Sequence, residues 1–156
     1  MSEFDLRALL AALHEHGVSF VVIGGVAVGA HGYVRATEDL DLVPDPDPAN
    51  LKLLTASLEA LDSTMPTVQG RPFDPDKDGA VILRGGNVTA DTRYGGLDVV
   101  QHLRAVPAYS ELAQDAVDSN LLGVPVRVCS LERLRKMKQA LSRTQDQLDL
   151  ENLPED

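Results

Sequence analysis

Leu6, Leu9, Leu10 and Leu13 recur at helical spacing, so the chain opens with an amphipathic helix, capped by Ser2 or Asp5 and stopped at Gly17. A strand over Ser19–Ile23 follows, continuously apolar from Phe20, then a Gly24-Gly25 turn and a short helix from Val26 to His31. Arg35 to Val43 alternates as a second strand, which Pro44, Pro46 and Pro48 terminate. Leu51, Leu54, Leu58 and Leu61 place one apolar face on a helix over Ala49–Leu61. Residues 62–79 hold Pro66, Gly70, Pro72 and Pro75 and read as a loop. Short apolar runs predict strands at Ala80–Arg84, Val88–Thr92 and Leu97–Gln101, a helix over Tyr109–Val117, and a strand at Val124–Val128 after the Gly123 turn. Ser130 caps a helix carrying Leu131, Leu134, Met137 and Leu141, and a further helical segment closes the chain. This order predicts an α/β (α+β) fold: a small mixed β-sheet covered by helices, with C-terminal helices.

With 156 residues the chain is expected to form a single domain over 1–156, with a core at 18–104 and a C-terminal helical part at 109–153. Its 44% hydrophobic content is that of a globular chain, and no apolar run is long enough to span a bilayer. The N-terminus lacks a signal pattern, and Cys129, standing alone, excludes an internal disulfide; both point to a reducing cytoplasm. A net charge of −10 argues against general nucleic-acid binding, which depends on neutralising phosphates with Lys and Arg. The positive charge is concentrated, however: Arg127, Arg133, Arg135, Lys136, Lys138 and Arg143 crowd one stretch. That stretch is either a solvated helix face or a positive wall for a nucleoside triphosphate or an RNA end.

The chemistry concentrates around Asp39-Leu40-Asp41. Residues i and i+2 of a strand share a face, so Asp39 and Asp41 present two carboxylates together while Leu40 and Leu42 turn to the core. Arg35 and Thr37 share their parity if the strand begins that early. Two such carboxylates repel by about 3 kcal/mol at ~5 Å with an effective dielectric near 20. A divalent cation between them removes that cost, and hard cations such as Mg²⁺ prefer oxygen ligands. Asp98, in another apolar run, supplies a third acid; such ions activate a hydroxyl and neutralise a transferring phosphoryl group. Gly24-Gly25 lets the backbone turn sharply and brings N–H groups to a phosphate. It is not a Walker A loop, because Ala30-His31 stands where Lys and Ser/Thr are required. Nor is it a dinucleotide fingerprint, because Val26 holds the second glycine position.

Gly24-Gly25-Val26-Ala27, Ala30-His31-Gly32, Arg35, Thr37 and Asp39-Leu40-Asp41-Leu42 together resemble the nucleotidyltransferase superfamily, and most of all the abortive-infection (AbiEii-type) nucleotidyltransferase toxins. Ser130-Leu131-Glu132, Met137 to Ala140, Arg143, Asp146 and Asp149 are similar to that group's closing helices. The resemblance spans roughly residues 18 to 153, loosely over 62 to 95. It implies transfer of a nucleoside monophosphate from a nucleoside triphosphate such as ATP to an acceptor hydroxyl, with Mg²⁺ or Mn²⁺. Asp39, Asp41 and Asp98 would be the metal-binding and catalytic residues, with Asp98 also taking the proton. Gly24, Gly25, Arg35, Thr37 and Lys138 would hold the nucleotide. Many superfamily members carry Ser where Gly25 stands, so here backbone N–H groups must suffice. The acceptor it implies is a tRNA end or another RNA, with a cognate antitoxin as partner. A small-molecule acceptor of antibiotic type and a non-catalytic nucleotide- or partner-binding member are the alternatives.

Other acidic and thiol groups weigh less. Asp45 and Asp47 lie among prolines and read as a turn. Asp74, Asp76 and Asp78 imitate half an EF-hand loop whose twelfth position is Gly85 instead of Glu. His31 and His102 have no partner at metal-ligand spacing, and Cys129 reads as a core thiol.

Overall fold

The computed structural model describes residues 3–155, so Ser2 lies outside the described residues. Helix α1 (Leu6–Glu15) starts where the Asp5 side chain accepts the Ala8 N–H at 3.0 Å, and buries Leu9, Leu10 and Leu13. The chain turns at Gly17, whose φ of +74° suits glycine, into β1 (Phe20–Ile23), buried along its whole length. Then come α2 (Gly24–Ala30), β2 (Asp39–Pro44), α3 (Pro48–Ala60), α4 (Lys77–Leu83), β3 (Val88–Thr92) and β4 (Gly95–Val99). The order closes with α5 (Tyr109–Gln114), β5 (Val117–Leu121), β6 (Val124–Val128), α6 (Leu131–Leu141) and α7 (Thr144–Asn152).

One mixed six-stranded sheet runs β3-β4-β2-β1-β6-β5. The hairpins β3–β4 and β5–β6 and the pair β1–β2 are antiparallel, whereas β2–β4 and β1–β6 are parallel. The apolar central strands hold the register, because slipping by one residue would expose Leu40 and Leu42, both fully buried. That register aligns Ile23, Asp41, Asp98 and Thr89 in one transverse row across β1, β2, β4 and β3. A parallel row, one pleat along, joins Asp39, Gly96 and Asp91.

The mixed sheet under helices agrees with expectation; several local details differ, among them helix α2, which takes in Gly24 and Gly25 and does not wait for Val26. The expected strand at Ala80–Arg84 is helix α4, because a short apolar run fits a buried strand and a buried helix turn equally well. The Asp74 carboxylate decides it, accepting the N–H groups of Asp76 and Lys77 and so starting a helical turn. Strand β2 begins at Asp39, not Arg35: the Arg35 guanidinium turns away to Asp149, and the Thr37 hydroxyl donates to the Asp39 carbonyl. Helix α5 ends at Gln114 instead of Val117, and Val117–Leu121 forms the unexpected β5. Leu122 and Gly123 both adopt positive φ in the two-residue turn that joins it to β6. Strand β4 starts at Gly95, two residues before the expected Leu97.

One buried polar side chain ties the layers together. Asn50 on α3 accepts the Ser19 N–H at 2.7 Å and donates to the carbonyls of Ser19 and Asp45 at 2.9 and 2.8 Å. It thereby satisfies the backbone where β1 begins and β2 ends. Asn50→Ala is expected to lower unfolding free energy by about 1–2 kcal/mol in urea titrations, because it removes three hydrogen bonds at a part-buried junction. Asp47→Ala, which removes only the α3 cap to Ala49, should cost about 1 kcal/mol.

Candidate active site

Parallel pairing sets Asp41 directly beside Asp98 on adjacent strands. Room for the Asp41 carboxylate comes from Gly24, whose φ is +69° and whose missing Cβ would collide with an Asp41 oxygen. Gly96 does the same for Asp39, since a Cβ there would meet the Asp39 carboxylate. Burial, a hydrogen bond to Asp98, and the charges of Asp98 and Asp39 push the Asp41 carboxyl up to about 7, against an opposing pull from Lys138. Asp39 is also raised, by burial first and then by Asp98, Glu38 and Asp91. A carboxyl held against a second acid and reluctant to ionise, as Asp41 is, is what a divalent cation would relieve. The donors fit such an ion as a pair, Asp41 with Asp98. Asp39 leans over Gly96 instead, and among the described residues no three acidic, histidine or cysteine side chains converge as a ready-made metal cage.

Asp41 and Asp98 form part of the wall of a cavity of about 470 Å³, within the range of small-molecule sites. Gly24 and Gly25 close one end, and Ile23, the residue before α2, offers no side-chain cap, so the helix's first N–H groups remain uncapped. Leu134, Met137 and Leu141 of α6 and Val100, Leu103 and Val106 beyond β4 supply apolar wall. Of the residues expected to hold nucleotide, Gly24, Gly25, Arg35 and Lys138 line this cavity. Thr37 and Asp39 lie instead in an adjoining hollow of about 340 Å³ that shares Gly25, Arg35 and Asp41 with it.

The cations on the cavity wall are paired. Arg35 grips Asp149 with two hydrogen bonds of 2.7 and 3.0 Å. Lys138 lies 3.1 Å from both Asp146 and Asp149, and Arg143 reaches Asp146 at 2.7 Å. Both aspartate side chains are fully enclosed. Burial raises their pKa values, but hydrogen bonds from Arg143 and Lys138 to Asp146, and from Arg35, Gln145 and Lys138 to Asp149, outweigh it and leave both below the ordinary range. Three cations against two carboxylates leave this wall one positive charge in excess, facing the acidic pair. Asp146 and Asp149 carry no role in the motif reading beyond family likeness; their D-x-x-D spacing, one helical turn, was the available signal.

Most of the basic stretch does not form a positive wall. Arg133 pairs with Asp115 and Glu111, Arg127 with Asp118, and Lys136 with Glu132, while Arg135 donates to the carbonyls of Leu150 and Pro154. Only Lys138 and Arg143 of that stretch reach the cavity. The remaining acids are structural: Asp78 accepts two hydrogen bonds from Arg71, and Asp47 caps α3. His31 donates through Nε2 to the Cys129 carbonyl, and burial pushes the Cys129 thiol up to about 12, which keeps it unreactive.

No protein-family model matches the chain, and no curated protein matches it significantly in sequence. Solved structures do match. The antibiotic-resistance factor ANT(2'')-Ia superposes with a TM-score of 0.56 at 21% identity, covering 96% of this chain and 75% of its own. The Thermotoga maritima protein TM1012, assigned as a nucleotidyltransferase, superposes with a TM-score of 0.58 at 14% identity, covering 94% and 88%. The chain has the nucleotidyltransferase fold. The nucleotidyltransferase fold accounts for the sheet and its flanking helices together, since both likenesses cover more than nine-tenths of the chain.

The raised Asp41 sets the sign of a pH effect. Its folded pKa of about 7 lies above the ~3.9 of an unfolded carboxyl, so the folded state holds the extra proton between these values. Stability therefore falls as pH rises through that window and levels off above it. Asp146 and Asp149 act oppositely, contributing above about pH 4 and losing that contribution as pH falls further. Asp41→Asn is expected to be more stable than the parent by roughly 1–3 kcal/mol at pH 8 without divalent ions. The gain should vanish near pH 4, as read by thermal unfolding across a pH series.

Proposed function

We propose that this protein is a Mg²⁺- or Mn²⁺-dependent nucleotidyltransferase that moves a nucleoside monophosphate from a triphosphate, ATP among them, to an acceptor hydroxyl and releases pyrophosphate. The observation that carries the reading is the in-register pair Asp41–Asp98, held against a glycine turn at the end of one cavity. Asp41 and Asp98 are the residues that would hold the metal, which supplies neutralisation of the charge developing on the phosphoryl oxygens; Asp39, expected as a third ligand, would have to swing from its place over Gly96 to join them. Asp98 would take the proton of the attacking hydroxyl. The N–H groups of Gly24 and Gly25 would cradle the triphosphate, with Thr37 at the rim. Arg35 and Lys138, already bound to Asp149 and Asp146, would add positive field to the phosphates while staying fixed by those partners.

Two acceptor classes follow from different observations. The resemblance to abortive-infection toxins supports a tRNA end or other RNA, with a cognate antitoxin as partner and a cytoplasmic setting. The fold likeness to an antibiotic-resistance factor supports a small-molecule acceptor. The pairing of Arg127, Arg133 and Lys136 with acids favours this second class, because it leaves few cations for an RNA backbone.

Labelled nucleoside triphosphates incubated with total RNA and, separately, with an aminoglycoside panel should show transfer to one of the two in Mg²⁺. Asp98→Asn should lower that transfer at least 10²-fold while nucleotide affinity stays within about tenfold. Undiminished transfer by Asp98→Asn removes its catalytic assignment. A parent that binds nucleotide yet labels nothing is a non-catalytic binding member of the fold.

A further inference from the structure

The transverse row Ile23, Asp41, Asp98, Thr89 gives the cavity a direction, and this inference rests on the transferase reading above. Gly24, which follows Ile23, closes the β1 end, where the pyrophosphate of a bound triphosphate would lie. Phosphoryl transfer places the attacking and leaving oxygens roughly in line on opposite sides of phosphorus. Neighbouring strands stand about 4.8 Å apart, so a phosphorus above Asp41 and Asp98 has its attacking oxygen about 3 Å further toward β3. The next side chain in that direction is Thr89, directly opposite Asp98 on β3 and on the same face.

The other residues around that end offer little to a hydroxyl. Val100, Leu103 and Val106 are apolar. The Asn87 amide is already engaged, with Oδ1 accepting the N–H groups of Gln101 and His102 and Nδ2 donating to the His102 carbonyl at 2.7 Å. Asn87 therefore braces the turn after β4. Thr92, of opposite parity on β3, is buried and donates to the Gly95 carbonyl. Thr89 is exposed and lines the cavity.

We infer that Thr89 is the acceptor-contacting residue of this site: its hydroxyl donates to the acceptor oxygen and aims that oxygen's O–H at Asp98. One lone pair is then held by Thr89 and the other faces the α-phosphorus. The new acceptor O–P bond forms as the bond from the α-phosphorus to its bridging oxygen breaks. Pyrophosphate leaves, and the acceptor proton passes to Asp98. Acceptors accordingly reach the site from the β3 edge of the sheet.

Thr89→Val keeps the shape and removes the donor; Thr89→Ser keeps the donor. Transfer from labelled ATP is measured with total tRNA and with the aminoglycoside panel as acceptors, and ATP binding is followed by calorimetry with Mn²⁺. For the acceptor that the parent labels, Thr89→Val should lower kcat/KM about tenfold or more, the scale of one hydrogen bond to a reacting group. ATP affinity should stay within about twofold, and Thr89→Ser should remain within about threefold of the parent. Parent-like transfer by Thr89→Val overturns the role of Thr89 and leaves the transferase reading intact. A parallel loss of ATP affinity in Thr89→Val also overturns it, by making the residue structural. A parent that labels neither acceptor removes the reaction, and the role of Thr89 with it.

Discussion

The placement of Asp41 against Asp98 is the constraint around which the rest of the molecule is arranged. Two ionised carboxylates ~5 Å apart repel by about 3 kcal/mol at an effective dielectric near 20, and the register keeps this pair on adjacent strands. Leu40 and Leu42, fully buried between the acids of β2 and its end, hold that register. Gly24 and Gly96 leave the space into which Asp41 and Asp39 lean, so a side chain at either glycine would displace an acid and not merely crowd the backbone. The sheet thus holds an unfavourable charge arrangement on the wall of the cavity, and a bound cation would relieve it.

Across the cavity stands the opposite arrangement. Helix α7 is docked less by apolar packing than by Asp146 and Asp149, enclosed among Lys138, Arg143 and Arg35. Buried ion pairs rarely add stability over a well-packed apolar contact, yet losing one partner leaves a charge stranded and costs several kcal/mol. Their value here is positional. They fix three cations at set points facing the acidic pair, with side-chain freedom already lost before any ligand arrives, and preorganised charge of this kind is what phosphoryl transfer needs. The tie from Arg35 to Asp149 also anchors the loop between α2 and β2 to the C-terminal helix.

Much of this was legible in the chain. The apolar run before Gly24-Gly25, the alternation around Asp39 and Asp41, and the third acid in a later apolar run follow from local periodicity, and the sheet carries Asp41 and Asp98 as neighbours. What local pattern does not contain is pairing at long range. Arg35 and Asp149 are separated by most of the chain, so nothing near Arg35 announces that its guanidinium is already committed. The two readings of the basic stretch could not be separated for the same reason, since the acids that neutralise Arg127 and Arg133 come from the preceding strand and helix region. Helix α4 was missed because four apolar residues have no period of their own, and β5 because its polar alternation on a sheet edge is weak beside its hairpin turn.

Titration of the Asp41 side-chain carboxyl by ¹³C NMR addresses the central claim most directly, because it reads the acidic pair itself and not a consequence of it. In the metal-free protein the resonance should titrate near 7, well above an ordinary aspartate. Mg²⁺ with a non-hydrolysable ATP analogue should move that midpoint below about 5, since a bound cation favours the ionised form. A midpoint near 4 in the free protein, or one near 7 that Mg²⁺ and nucleotide leave unmoved, would contradict the assignment of Asp41 and Asp98 as a cation-dependent nucleotide site.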